Sequence, residues 1–304
     1  MSQDSTLEAG DRIRPDGKYE IANLLGEGRM GAVCKAFDHF LRRDVAIKTL
    51  LVLEDPAATK VRCERFRREA SAVARVSKHP NIVQIYEIGI DRERPFIAME
   101  FVDGDDVSRL KPNFTLDQIL ILADCVASGL DFIHSKGIFH RDVKPANVMT
   151  GKSGEVQLMD FGRAKDTQSA ALTKSWVKLG SPLYMAPEAL ADRPTVSARS
   201  DQYALAVILY ELITMRCPFE GTDLRVLCGA IQDGQPPRAS EYAPWTPGET
   251  DEVLARCLAI DPEKRFASCQ NLVAKFRRSL GDTALRQGLV TARREEAAHR
   301  WQTA

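Results

Sequence analysis

The chain of 304 residues carries 42 basic and 42 acidic side chains, a formal net charge of zero, with 44% hydrophobic and 28% charged residues. That balance is ordinary for a globular protein of one large domain or two lobes, and it speaks against a nucleic-acid surface or a polybasic membrane patch. Seven cysteines, at 34, 63, 125, 217, 228, 257 and 269, form no C-x-x-C pair and no metal spacing. They fit reduced thiols in a cytoplasm better than a disulfide framework.

Residues 1–18 are polar, lack the apolar stretch of a signal peptide, and are expected to form a flexible leader. Five runs then carry β-branched and aromatic residues between turn signals: YEIANLL (19–25), AVCKAF (32–37), DVAIKTL (44–50), IVQIYEIG (82–89) and PFIAMEFV (95–102). One helical pattern, RCERFRREASAVARVS (62–77), interrupts them. Residues 19–102 are thus expected to form a small antiparallel sheet with one helix.

After VDGDD (102–106) the pattern turns helical, and residues 103–277 are expected to form a larger, mainly helical lobe. The first helix, in 115–137, opens with Thr115 and Gln118 at capping-box spacing and stops near Gly137. Further helices fit 200–215, 222–232, 249–258 and 268–280. The run YALAVILYELITM (203–215) is too short to span a bilayer and contains Glu211, so it reads as a helix buried on all sides. The charged segment 278–304 is expected to be an extra helix or a frayed tail. The fold class is α+β, the chain has no membrane segment, and its expected location is the cytoplasm.

Four places carry chemistry. In LLGEGRMGAV (24–33), Gly26, Gly28 and Gly31 suit a backbone that approaches phosphate oxygens, or simply a tight hairpin turn. The alternating AVCKAF that follows favours a hairpin lid over a dinucleotide-binding helix. Lys48 lies on a strand, in VAIK, and Glu69 lies on the apolar face of the 62–77 helix with Phe66 and Val73. Glu69 is either a surface acid at the edge of that face or the partner of Lys48. In HRDVKPANVM (140–149) an acid (Asp142), a cation (Lys144) and an amide (Asn147) crowd together. The turn GKSG in NVMTGKSGEVQLMDFG folds a hairpin that brings Asn147 toward Asp160, an oxygen pair suited to Mg²⁺.

HRDVKPANVM, then DFG, with VAIK upstream and SPLYMAPE at 181–188, resembles the eukaryotic-like (Hanks-type) protein kinase family, most of all bacterial Ser/Thr protein kinases. The resemblance covers roughly 19–277 and implies the bilobal protein-kinase fold. It implies ATP contacts at Leu25, Gly26, Glu27, Gly28, Gly31, Val33, Ala46, Lys48, Met99, Glu100, Val102 and Asp106, with Glu100–Val102 as the adenine-reading hinge. It implies a Lys48–Glu69 pair and Mg²⁺ (or Mn²⁺) held by Asn147 and Asp160. Asp142 would orient the acceptor hydroxyl and take its proton, and Lys144 would neutralise charge on the transferred group.

It further implies that His140 is structural, packing beneath Phe161. Asp201 would bond the backbone of the 140–147 loop, and Glu188 and Arg265 would pair beneath a peptide ledge. Ser181 stands where the family commonly has Thr, which keeps a hydroxyl. The expected activity is ATP-dependent phosphorylation of Ser/Thr hydroxyls of proteins. Autophosphorylation is expected at Thr173 or Ser175 through a transient homodimer, with Arg141 receiving the phosphate. A small-molecule phosphotransferase has no use for the peptide ledge, and a pure binding scaffold has no use for the intact catalytic set.

Overall fold

The computed structural model describes residues 8–14, 16–28, 31–50, 55, 59, 63–64, 66–67, 78–92, 94–111, 114–160, 182–191 and 194–281. They fall into two compact units that divide between Gly104 and Asp105, two residues beyond the expected boundary. The first unit is an antiparallel sheet of six strands: β1 (Arg12–Ile13), β2 (Tyr19–Gly28), β3 (Gly31–Asp38), β4 (Arg43–Thr49), β5 (Ile85–Asp91) and β6 (Arg94–Glu100). Their order is β1-β2-β3-β4-β6-β5.

Side chains alternate across a strand, so each strand buries every second residue on one face. Tyr19 and Ile21, Cys34 and Ala36, Val45 and Ile47, and Phe96 and Ala98 form one core cluster with Ile13. Cys34 is a passive member of it. Ile13 corrects the flexible-leader expectation for its own stretch: β1 pairs with β2, Ile13 opposite Tyr19, and the side chain is buried. Cys63, Glu64, Phe66 and Arg67 are helical as expected, with Phe66 buried. Glu69 lies outside the described residues.

In the second unit β8 (Val148–Gly151) and β9 (Val156–Leu158) form the expected hairpin, and the short β7 (Gly104–Asp106) joins their sheet. The described helices are α1 (Val107–Leu110), α2 (Leu116–His134), α3 (Ala198–Thr214), α4 (Leu224–Asp233), α5 (Ala239–Tyr242), α6 (Gly248–Cys257) and α7 (Cys269–Ser279). The Thr115/Gln118 capping box opens α2 as expected. Gly137, at φ +71°, turns the chain after it.

Helix α3 starts two residues earlier than expected because Ser197 and Ser200 build a capping box of their own. Every residue from Ser200 to Thr214 is buried. Its interior acid is satisfied: Glu211 pairs with Lys111 and accepts a hydrogen bond from the Tyr184 hydroxyl at 2.6 Å. No helix among the described residues is long and apolar enough to cross a membrane.

Candidate active site

In the first unit the strand register sorts the expected ATP contacts by face. Val33 pairs with Lys48 and Gly26, Ala46 with Met99, and Lys48 with Ile97. Directly opposed residues point to the same side, so Gly26, Val33, Ala46, Lys48 and Met99 share the face opposite the core cluster. Leu25 is the extra residue where the β2–β3 register shifts between Leu24 and Gly26. Glu27 pairs with Ala32 and so belongs to the other face; only its main chain can serve a ligand beside Lys48.

The glycines differ in what they do. A Cβ on Gly31 would lie 1.7 Å from the Thr49 carbonyl oxygen, and its φ is +147°, so glycine is required there by the chain itself. A Cβ on Gly26 would meet nothing within 4 Å. Among the described residues, packing therefore gives no reason for glycine at 26. The side-chain surroundings of Gly28 lie outside what is described. At the strand end Glu100 gives its N–H to the Gln84 carbonyl at 2.9 Å, and Val102 is buried.

In the second unit the constellation is a loop held from behind. Asp201, at the start of α3 and 2% exposed, accepts the His140 N–H on Oδ2 and the Arg141 N–H on Oδ1, each at 2.8 Å. The same Oδ2 lies 2.8 Å from His134 Nε2. This is the expected bond from Asp201 to the loop backbone. It secures Arg141 in a left-handed conformation, φ +67°, that a non-glycine residue adopts at a cost of about 1–2 kcal/mol.

His140 is fully buried, and burial holds its ring below the ordinary imidazole pKa. Its Nδ1 accepts the Asp142 N–H at 3.3 Å, so Nε2 carries the proton and donates to the Met159 carbonyl at 3.1 Å. A neutral ring thus ties the loop to the residue before Asp160, a structural role as expected. Phe161, its expected neighbour, lies outside the described residues.

On the front of the loop, Lys144 Nζ lies 2.8 Å from Asp142 Oδ2. Asn147 donates both amide hydrogens to Asp142, to the main-chain oxygen at 2.7 Å and to Oδ2 at 3.0 Å. Its Oδ1 is the atom left to offer a metal. The Met159 N–H donates to the Asn147 carbonyl at 2.9 Å, which closes the open end of the hairpin one residue before Asp160. Asp160 itself has φ +59°. An amide oxygen and a carboxylate are hard donors of the kind Mg²⁺ takes beside phosphates and water, so the residues present fit that ion.

Asp106, expected at a ribose, caps α1 by accepting the Ser108 N–H at 2.9 Å and pairs with Arg109 at 3.3 Å. Glu188 and Arg265 form the expected pair, with two N–H···O bonds of 2.8 Å each. Tyr184 and its partner Glu211, with Lys111, anchor the Pro182–Tyr184 turn to α3. Sequence reading missed that anchor; its one signal was an acid inside the apolar 203–215 run. A cavity of about 130 Å³ beside Asp142 is walled by Met185, Ala186, Ala189, Pro194, Val196 and Ala204. Thr173, Ser175 and Ser181 lie outside the described residues.

The model of the protein kinase domain matches residues 19–276. The chain belongs to the protein kinase family. It is 37% identical over 284 residues to the serine/threonine-protein kinase PksC of Streptomyces coelicolor, covering 89% of this chain and 50% of that protein. It is 38% identical over 270 residues to the serine/threonine-protein kinase PknB of Mycolicibacterium smegmatis, covering 84% of this chain and 42% of that protein. The chain thus spans half or less of the length of these curated relatives. Among solved structures, the kinase domain of Mycobacterium tuberculosis PknI matches with a TM-score of 0.68 at 29% identity, covering 90% of this chain and 99% of that one. The protein kinase fold is shared with Rad53 as well, at a TM-score of 0.69 and 22% identity.

Proposed function

We propose that this chain is an ATP-dependent protein serine/threonine kinase whose catalytic domain is residues 19–277, with 278–304 as an appended tail. The observation that carries the reading is the loop at 140–147. Asp142 stands at its front, braced by Lys144 and Asn147, while Asp201 holds its backbone from behind. A carboxylate so fixed can accept the proton of an incoming hydroxyl without reorganising. Lys144, within reach of the same carboxylate, neutralises charge on the phosphoryl group as it passes.

The first unit supplies Gly26, Val33, Ala46, Lys48 and Met99 for the nucleotide, with Glu69 as the partner of Lys48. Asp106 is the reading for the ribose, in addition to its cap. Asn147 Oδ1 and the Asp160 carboxylate would hold Mg²⁺ or Mn²⁺, which when bound neutralises the phosphates. Rad53, which shares the fold, was solved in complex with AMP-PNP, which supports the nucleotide indirectly. The cavity beside Asp142, lined by apolar residues together with Arg141, Tyr184 and Ser200, gives room for a side chain of a protein substrate. All seven cysteines are free thiols, in keeping with a cytoplasmic setting. Arg141, exposed and directly before Asp142, would receive a phosphate on Thr173, Ser175 or both after autophosphorylation in a transient homodimer.

The test is incubation with Mg-ATP and a Ser/Thr peptide library, read by mass spectrometry of peptides and protein. Phosphate on peptide Ser/Thr, and on the chain between 163 and 181, is expected from the wild type. Asp142→Asn should bind ATP with nearly unchanged affinity and lose at least about 100-fold in turnover, the low end of what general-base removal costs. Equal turnover by Asp142→Asn would overturn the assignment.

A further inference from the structure

Away from the kinase loop, three side chains of chemically different kinds meet at the join of α2 and α7. Asp131 and His134 lie three apart, on one face at the end of α2, and Cys269 is the first residue of α7. One donor atom from each lies within 4.8 Å of the other two. In sequence Cys269 is 138 residues from Asp131, so no ligand spacing is visible there.

The polarity of the cluster is the informative part. His134 Nε2 lies 2.8 Å from Asp201 Oδ2, which can only accept, so Nε2 carries the ring hydrogen. Nδ1, on the other side of the ring, faces Asp131 Oδ1 at 3.9 Å. Asp131 is fixed in that position by the start of α7: Oδ1 accepts the Cys269 N–H and Oδ2 the Gln270 N–H, both at 2.9 Å, and the Cys269 thiol is hydrogen-bonded to it as well. Cys269 is 1% exposed, while Asp131 and His134 retain some solvent access on the outer side.

We propose that Asp131 Oδ1, His134 Nδ1 and Cys269 Sγ form a zinc site that ties α2 to α7, with solvent in the fourth position. Carboxylate, imidazole and thiolate are a donor set that suits Zn²⁺ and not Mg²⁺ or Ca²⁺. Donors on one tetrahedral zinc stand about 3.5 Å apart, given bonds of ~2.0–2.3 Å, so atoms within 4.8 Å of one another need to close by up to about 1.3 Å. On binding, the Sγ–H bond is exchanged for Sγ–Zn and the proton leaves to solvent; no electron is transferred. Asp201 then does for His134 what carboxylates behind metal-bound imidazoles do: it fixes the tautomer and orientation. Because the same carboxylate holds the His140 and Arg141 N–H groups, the metal would brace the backbone of the catalytic loop from behind.

The experiment uses the full chain, stripped with chelator and titrated with Zn²⁺ against a chromophoric competitor, then with Co²⁺ to read the sulfur-to-cobalt charge-transfer absorption. The expected result is one equivalent bound with a thiolate band. Cys269→Ala, which leaves the Asp131 cap in place, should abolish the band and weaken Zn²⁺ at least about 100-fold, the upper end of what loss of an outer partner costs. Should Cys269→Ala not fold, Asp131→Asn gives the second reading: one capping oxygen is kept, and affinity should fall at least about tenfold. Uptake that is absent in the wild type, or equal in wild type and Cys269→Ala, overturns the site as surface binding only. None of these readouts uses kinase activity, so failure here and failure of the kinase reading are told apart.

Discussion

Arg265→Ala should be among the most destabilising single changes in the second unit. The Arg265 side chain is wholly inaccessible, and all five of its N–H donors are engaged. Two reach Glu188 at 2.8 Å, and the others reach the carbonyls of Ala259 (3.0 Å), Arg199 (3.0 Å) and Ile260 (3.4 Å). Removing the guanidinium leaves the Glu188 carboxylate with the Ser200 hydroxyl but no counter-charge, leaves three carbonyls short of a donor, and empties a space beside the Tyr203 ring. Breaking a buried pair by deleting one partner costs about 3–5 kcal/mol. At roughly 2–4 °C per kcal/mol for a unit of this size, the melting temperature should fall by about 6–20 °C. Arg265→Lys keeps the charge but not the fork, and should fall between Arg265→Ala and the wild type. The double change Arg265→Met with Glu188→Leu should cost less than Arg265→Ala, because no charge is left buried alone. Circular dichroism melts of the four proteins decide it. An Arg265→Ala protein within about 1 kcal/mol of wild type would refute the reasoning, since it would mean the pair contributes no more than an exposed one.

Three further outcomes are expected. Gly31→Ala should cost several kcal/mol in urea denaturation, because its Cβ meets the Thr49 carbonyl, whereas Gly26→Ala should leave stability within about 0.5 kcal/mol and weaken ATP by about tenfold or more in a binding titration. Asp201→Asn, which keeps a single acceptor oxygen for two main-chain N–H groups and His134, should lose about 2–4 kcal/mol of stability by the same denaturation and slow phosphoryl transfer more than it weakens ATP binding. His140 has its folded pKa depressed from 6.5, so the unfolded chain binds the extra proton first: its share of stability is complete above pH 6.5 and falls as pH drops below it, at up to about 1.4 kcal/mol per unit. A His140→Gln protein should lack that part of the slope in denaturation midpoints measured across the range.

What the sequence disclosed and what it withheld divide along a physical line. Asp201 and Glu188–Arg265 were legible because a charge in an apolar context must find a partner, and the family pattern says which. The Gly26/Val33/Ala46/Lys48/Met99 face follows from strand alternation alone once the register is known. The edge strand Arg12–Ile13 was missed because two residues carry no period. The four-residue helices Val107–Leu110 and Ala239–Tyr242 escaped for the same reason: one turn shows no repeat of its apolar face. Lys111 could not be matched to Glu211 because the two lie 100 residues apart and only the fold brings them together. Glu69 and the Thr173/Ser175 sites lie outside the described residues, so the Lys48–Glu69 pair and the phosphosites stand as readings of the sequence.

The least legible feature is also the one that shapes the site most. Arg141 and Asp160 both have positive φ, +67° and +59°, in a region that costs non-glycine residues about 1–2 kcal/mol each. Nothing in HRD or MDF, read as letters, announces a left-handed backbone. The offset comes from groups distant in sequence or buried: Asp201 takes the N–H of Arg141, and His140 links the Asp142 N–H to the Met159 carbonyl. Each strained residue is thus flanked by a hydrogen bond to a buried side chain. The two bends fix the peptide planes from which the side chains of Asp142 and Asp160 depart. A glycine at either position would adopt the same φ without cost, but would make the bend one conformation among several. With arginine and aspartate there, the strain is tolerated only while Asp201 and His140 hold their bonds, so the loop's geometry is tied to the integrity of the helical core beneath it.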